Sequence, residues 1–331
     1  MNRTDKPKLS SEQLVKKLED NGVTFKYISK KDAEIFLQER NNFLRVAAYR
    51  KNYHKYENGI NKGKYENLDF SYLQELSVID MHFRYMVLKM CLDIEHALKV
   101  KLLADIEKDV NEDGYTVVDD FLNNNPNVVS SIEGTSASPF TSDLVAKYFT
   151  INKVINPNTG RQVHKITAFD CPAWVLLETL TFGDFIRFYE FYYNRAQMKT
   201  VPTSLINLTK SLRNACAHNN CVIADLTKGV SHNTAYVSQR VSKIQSISKT
   251  KRLKKLSSRV VLEFVGLLCL YELTVSDKVK THRISELKKL LKDRFPEKEG
   301  FFKGNQLIIS SYEFACEVTE GVFPGIEPKL P

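Results

Sequence analysis

Apolar residues along this chain recur at three- and four-residue steps far more often than they alternate, which is the spacing of helices rather than strands. The clearest run is Ile79, Phe83, Met86, Val87, Met90, Cys91, Ile94, Ala97, Leu98 and Leu102. One continuous stripe of this kind predicts a long helix over at least 79–102, the spine of a core. Ahead of it, a Ser cap at 10 or 11 and a stop at Asn21-Gly22 predict a helix over 10–22. A second helix is expected from Lys30 through Tyr53, fading at Glu57-Asn58-Gly59, with a polar linker over 59–70.

Residues 105–145 change character: an acidic patch is followed by NNNPN and EGTSASPFTS, both loop-forming. YFTINKVINPNTGRQVHKITAF then predicts a β-hairpin turning at Asn156-Pro157-Asn158-Thr159-Gly160, an insertion between helices. Helix resumes in PAWVLLETL with Pro172 near its first turn; Gly183 is expected to end it and Asp184 to cap the next. SLINLTKSLRNACAHNN is a further helix, and 239–275 and 283–294 supply two more. The pattern fades after 300, and no internal repeat is visible. The reading is mainly α: an N-terminal helical segment over 1–70, a helical core over 71–290 with a loop and β-hairpin insertion at about 110–168, and a tail over 291–331.

Composition narrows this picture. The 331 residues are 43% hydrophobic and 26% charged, a globular balance with room for a substantial core. The N-terminal MNRTDKPKLSSEQ lacks the apolar centre of a signal peptide, and VVLEFVGLLCLYELTV is interrupted by Glu263 and Glu272 before it could span a bilayer. A cytoplasmic protein without a membrane partner is expected, its six scattered cysteines free thiols. The net charge of +9 is concentrated: Lys228, Arg240, Lys243, Lys249, Lys251, Arg252, Lys254, Lys255 and Arg259 occur between Leu226 and Leu262 with no Asp or Glu among them. A polyanion such as RNA is the natural counterpart of such a run, because each neutralised phosphate releases a counterion; a merely solvated basic surface is the alternative.

Candidate chemistry sits in RNACAHNN, residues 213–220. On a helical wheel Leu205, Leu208, Leu212, Ala215, Cys216 and Asn219 face a core, while Arg213 and His218 flank that stripe. Asn214 lies one turn before His218, close enough to touch it. An imidazole can take the proton from a ribose 2′-hydroxyl or protonate the departing 5′-oxygen. A guanidinium offers fixed donors to the crowded phosphorus centre. The substrate supplies the nucleophile, so neither metal nor cofactor is called for. The same residues also suit a structural role, Arg213 paired with an acid and His218 closing the helix. Cys216, His218 and Cys221 are close in sequence, but a structural zinc site takes four ligands and no nearby pair completes this one. Trp174, the sole tryptophan, is expected in the core, with base stacking as the weaker reading, and FIRFYEFYY is expected buried on several sides.

Four ordered blocks carry a family resemblance: NNFLRVAAYRKNY, LSVIDMHFRYMVLKMCLDIEHALKVKL, PAWVLLETLTFGDFIRFYEFY and SLRNACAHNN. They resemble abortive-infection proteins of the AbiD/AbiF type, whose helical core belongs to the HEPN ribonuclease superfamily. The resemblance implies a HEPN-like helical bundle, a homodimer with facing signature helices, metal-independent RNA cleavage and a role in phage defence. Arg213, Asn214 and His218 match the superfamily's signature. Glu95 and Lys99 match its acid-then-base pair on an earlier helix and are read as supporting residues, or as an ordinary i, i+4 ion pair. A regulatory RNA or antitoxin is a further implied partner. Two rival readings remain at this point: a non-catalytic RNA-binding or sensor protein on the same fold, and a helical protein–protein adaptor.

Overall fold

In the computed structural model, which describes residues 7–157, 159–230 and 234–328, the long apolar stripe becomes α4, Phe70–Lys108. It begins nine residues before Ile79 because Asp69, at the end of the linker, is itself buried and caps it. One Asp69 oxygen accepts the Ser71 N–H at 2.9 Å, and the other accepts the Thr24 hydroxyl at 2.8 Å and the Lys26 N–H at 2.7 Å. Among the described residues the chain is mainly α, with one two-stranded antiparallel hairpin. It divides into two compact units, 1–91 with 207–331 and 92–206.

In the first unit, α1 (Ser11–Asp20) starts at a capping box in which Ser10 and Gln13 satisfy each other's backbone N–H. The helix expected over Lys30 to Tyr53 is broken. α2 (Lys30–Ile35) runs into a π-helical turn, Phe36–Arg40, and α3 (Phe43–Ala48) continues as a short 3-10 turn, Tyr49–Asn52. Two asparagines make the break: Asn41 is extended, and the Asn42 side chain accepts the Arg45 N–H at 3.1 Å, offering the backbone a cap in place of helix. Val15, Leu18, Phe36, Val46, Tyr49 and Phe70 meet Phe302 and Ile308 in one apolar cluster. The 1–70 segment and the segment after 291 therefore share a core. In place of a tail, that last segment forms α15 (Gln306–Val322), capped by the Asn305 side chain.

The expected helix over 239–275 is three. α11 (Ala235–Ser242), α12 (Lys249–Leu256) and α13 (Arg259–Thr274) are separated where Ser248 and Ser258 occupy N-cap positions. α14 (Asp277–Lys289) follows. α13 is buried over Val260–Tyr271 and packs against the motif helix, α10 (Thr203–Ala217). Gly266 permits that approach, since a Cβ there would lie 2.7 Å from Leu208 Cδ1.

In the second unit, the stretch expected as loop holds α5 (Thr116–Asn124), α6 (Pro126–Thr135) and α7 (Ser142–Tyr148). NNNPN is a helix junction: Pro126 starts α6, where its missing N–H costs nothing. The hairpin forms as expected, β1 (Phe149–Ile155) with β2 (Gln162–Phe169), pairing Phe149 with Phe169 and Ile155 with Gln162, with a one-residue register shift between Thr150 and Ile151. Within its turn, Asn158 lies outside the described residues. α8 (Ala173–Thr179) follows Pro172. Thr181, rather than Asp184, caps α9 (Phe182–Arg195): its hydroxyl accepts the Asp184 N–H, and Gly183 lies inside the first turn. Eight residues of α9 are buried, as its dense aromatics predict. Trp174 departs from expectation. It is half exposed, its ring edge-to-face with Tyr115 at 5.8 Å.

Candidate functional site

α10 ends one residue before His218. The His218 N–H still reaches the Asn214 carbonyl at 2.9 Å, then the Asn219 N–H goes to Cys216 O at 3.0 Å and the Asn220 N–H to Ala215 O at 2.9 Å. Asn219 takes a positive φ of 55° to make this crossing, the geometry of a Schellman stop. Asparagine tolerates that conformation better than other residues with a side chain. Asn219 is thus exposed, and the wheel's assignment of it to the core fails because the helix has already ended.

The signature side chains are arranged around this stop. Arg213 is half-buried, and its Nη1 donates to Asn214 Oδ1 at 3.4 Å, so Asn214 turns toward the guanidinium and not toward His218. The His218 ring is exposed and has no hydrogen-bond partner among the described residues. Cys216 faces the core, where burial pushes its thiol up to about 12, and the half-buried Cys221 thiol donates to the Arg45 carbonyl. Among the described residues, no group of three His, Cys, Asp or Glu is placed to hold a metal ion.

The backbone beyond His218 is fastened from three sides by residues that the sequence pattern does not single out. From α3, Arg45 donates to the Asn219 backbone carbonyl and, at 3.2 Å, to its side-chain oxygen. From α4, Arg84 donates to the Asn220 carbonyl at 3.3 Å while paired with Asp80, four residues earlier. Asp80 is fully buried and accepts the Tyr49 hydroxyl at 2.9 Å and the Ile223 N–H at 2.8 Å. Burial raises the Asp80 carboxyl from its ordinary value, and the Ile223 N–H and Arg84 pull it back. Asn52 completes the set: its amide donates to Ile223 O at 2.9 Å and accepts the Leu226 N–H at 2.8 Å. One signal was available, since Asp80 and Arg84 are an i, i+4 charge pair beside Ile79 and Phe83 within the apolar stripe.

A comparison with protein families adds one match. The model of the Abi-like protein family matches residues 36–224, more than half of the chain. The chain belongs to the Abi-like family. Membership implies an involvement in abortive infection, the defence against phage. No curated protein and no solved structure matches the chain. In this Abi-like protein the matched span holds Arg213, Asn214 and His218 together with Arg45, Tyr49, Asp80, Arg84 and Ile223, so the signature and the groups that fasten its turn lie within one family region.

Glu95 and Lys99 belong to the second unit, where they form an ion pair at 3.6 Å; Lys99 also lies 4.0 Å from Glu178. The basic stretch falls wholly outside the family match and splits in two. Lys228, Lys243, Lys249 and Lys254 are exposed. Arg240 grips Glu272 through two nitrogens and reaches the Gly321 and Val322 carbonyls; Lys251 pairs with Glu317 at 2.6 Å. Lys255 is buried and donates to Ser310 and Ser311, and Arg252 buries an Nε with no hydrogen-bond partner among the described residues. Arg259 is tied to the motif helix: it donates to Glu263 at 2.8 Å and to the Ser211 hydroxyl at 3.0 Å, two residues before Arg213. Among the described residues, no helix is long and apolar enough to cross a membrane.

Proposed function

We propose that this Abi-like protein is a HEPN-type, metal-independent endoribonuclease that halts phage growth by cutting RNA. The observation that carries this reading is the exposed His218 imidazole at a helix stop whose following backbone is fastened by buried Arg84, Asp80 and Asn52. A surface residue with no chemical task does not call for so much buried polar support, because each buried polar group must be satisfied at a cost in desolvation.

In the proposed mechanism the ribose 2′-hydroxyl attacks the adjacent phosphorus, forming the new P–O bond as the bond to the 5′-oxygen breaks. His218 moves the proton. Arg213 donates to the non-bridging oxygens as charge builds on them, and Asn214 holds the guanidinium through its side-chain oxygen. One imidazole cannot serve as base and acid in the same step, so a second copy of the chain brings the other as a homodimer. The exposed Lys228, Lys243, Lys249 and Lys254 attract the RNA backbone.

The test is cleavage of labelled RNA in EDTA by the full chain and by His218→Ala, with RNA binding followed in parallel. Cleavage lost and binding kept supports the reading. Equal cleavage by both proteins removes His218 from the chemistry, and intact RNA with both leaves a binding protein.

A further inference from the structure

The first unit has an apolar pocket of about 280 Å³ that is partly open to solvent. Its walls come from α4, α13, α15 and the segment after α14, with Phe83, Phe264 and Val260 among the apolar side chains. About 150 Å³ of enclosed apolar space suffices to hold one benzene molecule, so the volume of this pocket corresponds to a two-ring compound. The polar groups around it are already occupied. Ser311 donates to Leu307 O and accepts from Lys255, and the Tyr312 hydroxyl donates to Leu291 O at 2.8 Å. A guest therefore meets carbon on most sides. Three lining residues are charged and exposed, Glu299, Lys303 and Glu313, a net negative edge that disfavours an anionic guest.

Two further lining residues, Ile223 and Leu226, connect this space to the motif turn. Their backbone N–H groups are the ones held by Asp80 and Asn52. A guest packed against their side chains presses on the same short segment whose other side fixes the backbone after His218.

We propose that this cavity is a binding site for an uncharged, apolar small molecule of two-ring size, and that its occupancy tightens the turn that carries His218. The binding half stands without the nuclease reading; the consequence for cleavage rests on it.

The probe is 6-propionyl-2-(dimethylamino)naphthalene, an uncharged two-ring ketone that brightens in apolar surroundings, titrated into the full chain. A saturable rise is expected in the wild type and, unchanged, in His218→Ala, which separates failure of this site from failure of the nuclease reading. Ala315→Phe and Ile309→Trp, on the half-buried side of α15, fill the space; with circular dichroism confirming the fold, each is expected to weaken the probe by about ten-fold or more. Decanol is expected to displace the probe more effectively than decanoate. Amide exchange at Ile223 and Leu226 is expected to slow when the probe is bound. Non-saturable brightening, or binding that survives both fills, overturns the site; tighter binding of decanoate overturns its charge preference; unchanged exchange at both amides overturns the coupling.

Discussion

The turn after His218 and the basic stretch further along the chain both depend on cations, and they use them in opposite ways. In the turn, Arg45 and Arg84 arrive from distant parts of the sequence and direct their donors to the backbone carbonyls of Asn219 and Asn220. In the basic stretch the charges are clustered in sequence, yet they divide between solvent and structure: Lys243, Lys249 and Lys254 are exposed, whereas Arg240 and Lys251 are matched to acids. The sign of a charge says what it attracts. Its partners in the fold decide whether it is still available to attract anything.

Breaking the turn's chemistry should give the largest effect. His218→Ala is expected to lower RNA cleavage by about 10²–10⁴-fold, the usual worth of a positioned acid–base group, while the melting temperature barely moves because the ring is exposed. Arg213→Ala is expected to cost about 10²–10³-fold, as for loss of one oxyanion donor. Single-turnover cleavage and thermal melts measure both.

Breaking the turn's support comes next. Arg84→Ala leaves Asp80 as a buried carboxylate without its cation and is expected to cost about 3–5 kcal/mol by urea denaturation. Cleavage should fall with it, as the backbone after His218 loses its anchor at Asn220.

The basic stretch should separate cleanly under mutation. Replacing Lys243, Lys249 and Lys254 by Gln is expected to reduce the slope of log affinity against log salt by up to about 0.7–0.9 per lysine, with stability unchanged within about 0.5 kcal/mol. Arg240→Ala is expected to do the reverse, losing about 1–3 kcal/mol of stability with Glu272 left unpaired and leaving the salt slope alone. Matching effects from the two sets would erase the distinction drawn between them.

The smallest effect is a pH dependence. Burial lowers the Lys255 amine from its ordinary value of 10.5, so between the lowered value and 10.5 the unfolded chain holds the proton that the folded chain has lost. Stability therefore gains from this group as pH rises through that window and loses it as pH falls. Lys255→Met keeps the bulk and removes the charge; denaturation at several pH values should show a flatter profile.

Helix content was legible because burial repeats every three or four residues, and the α4 stripe is a direct image of one buried face. Boundaries were less so. Asn42 and Ser248 act through local side-chain caps that override an apolar pattern running across them, and Asp69 starts α4 early for the same reason. The loop expected over 105–145 turned helical where short amphipathic runs such as Val117, Val118, Phe121 and Leu122 found a core. Of the candidate site, Arg213, Asn214 and His218 were visible as a local pattern. Arg45 and Asn52 were not, since their link to Asn219–Leu226 spans more than 170 residues of sequence and arises from tertiary packing alone.

The most direct test of the account is the chemistry of the cut ends. RNA digested by the full chain in EDTA should yield, by mass spectrometry, fragments ending in a 2′,3′-cyclic phosphate and beginning with a 5′-hydroxyl. A 2′-deoxy substitution at the scissile nucleotide should abolish that cut. Fragments with 5′-phosphate ends, or undiminished cutting at the deoxy position, would mean that the substrate's own hydroxyl is not the nucleophile and that His218 and Arg213 do not perform the reaction assigned to them.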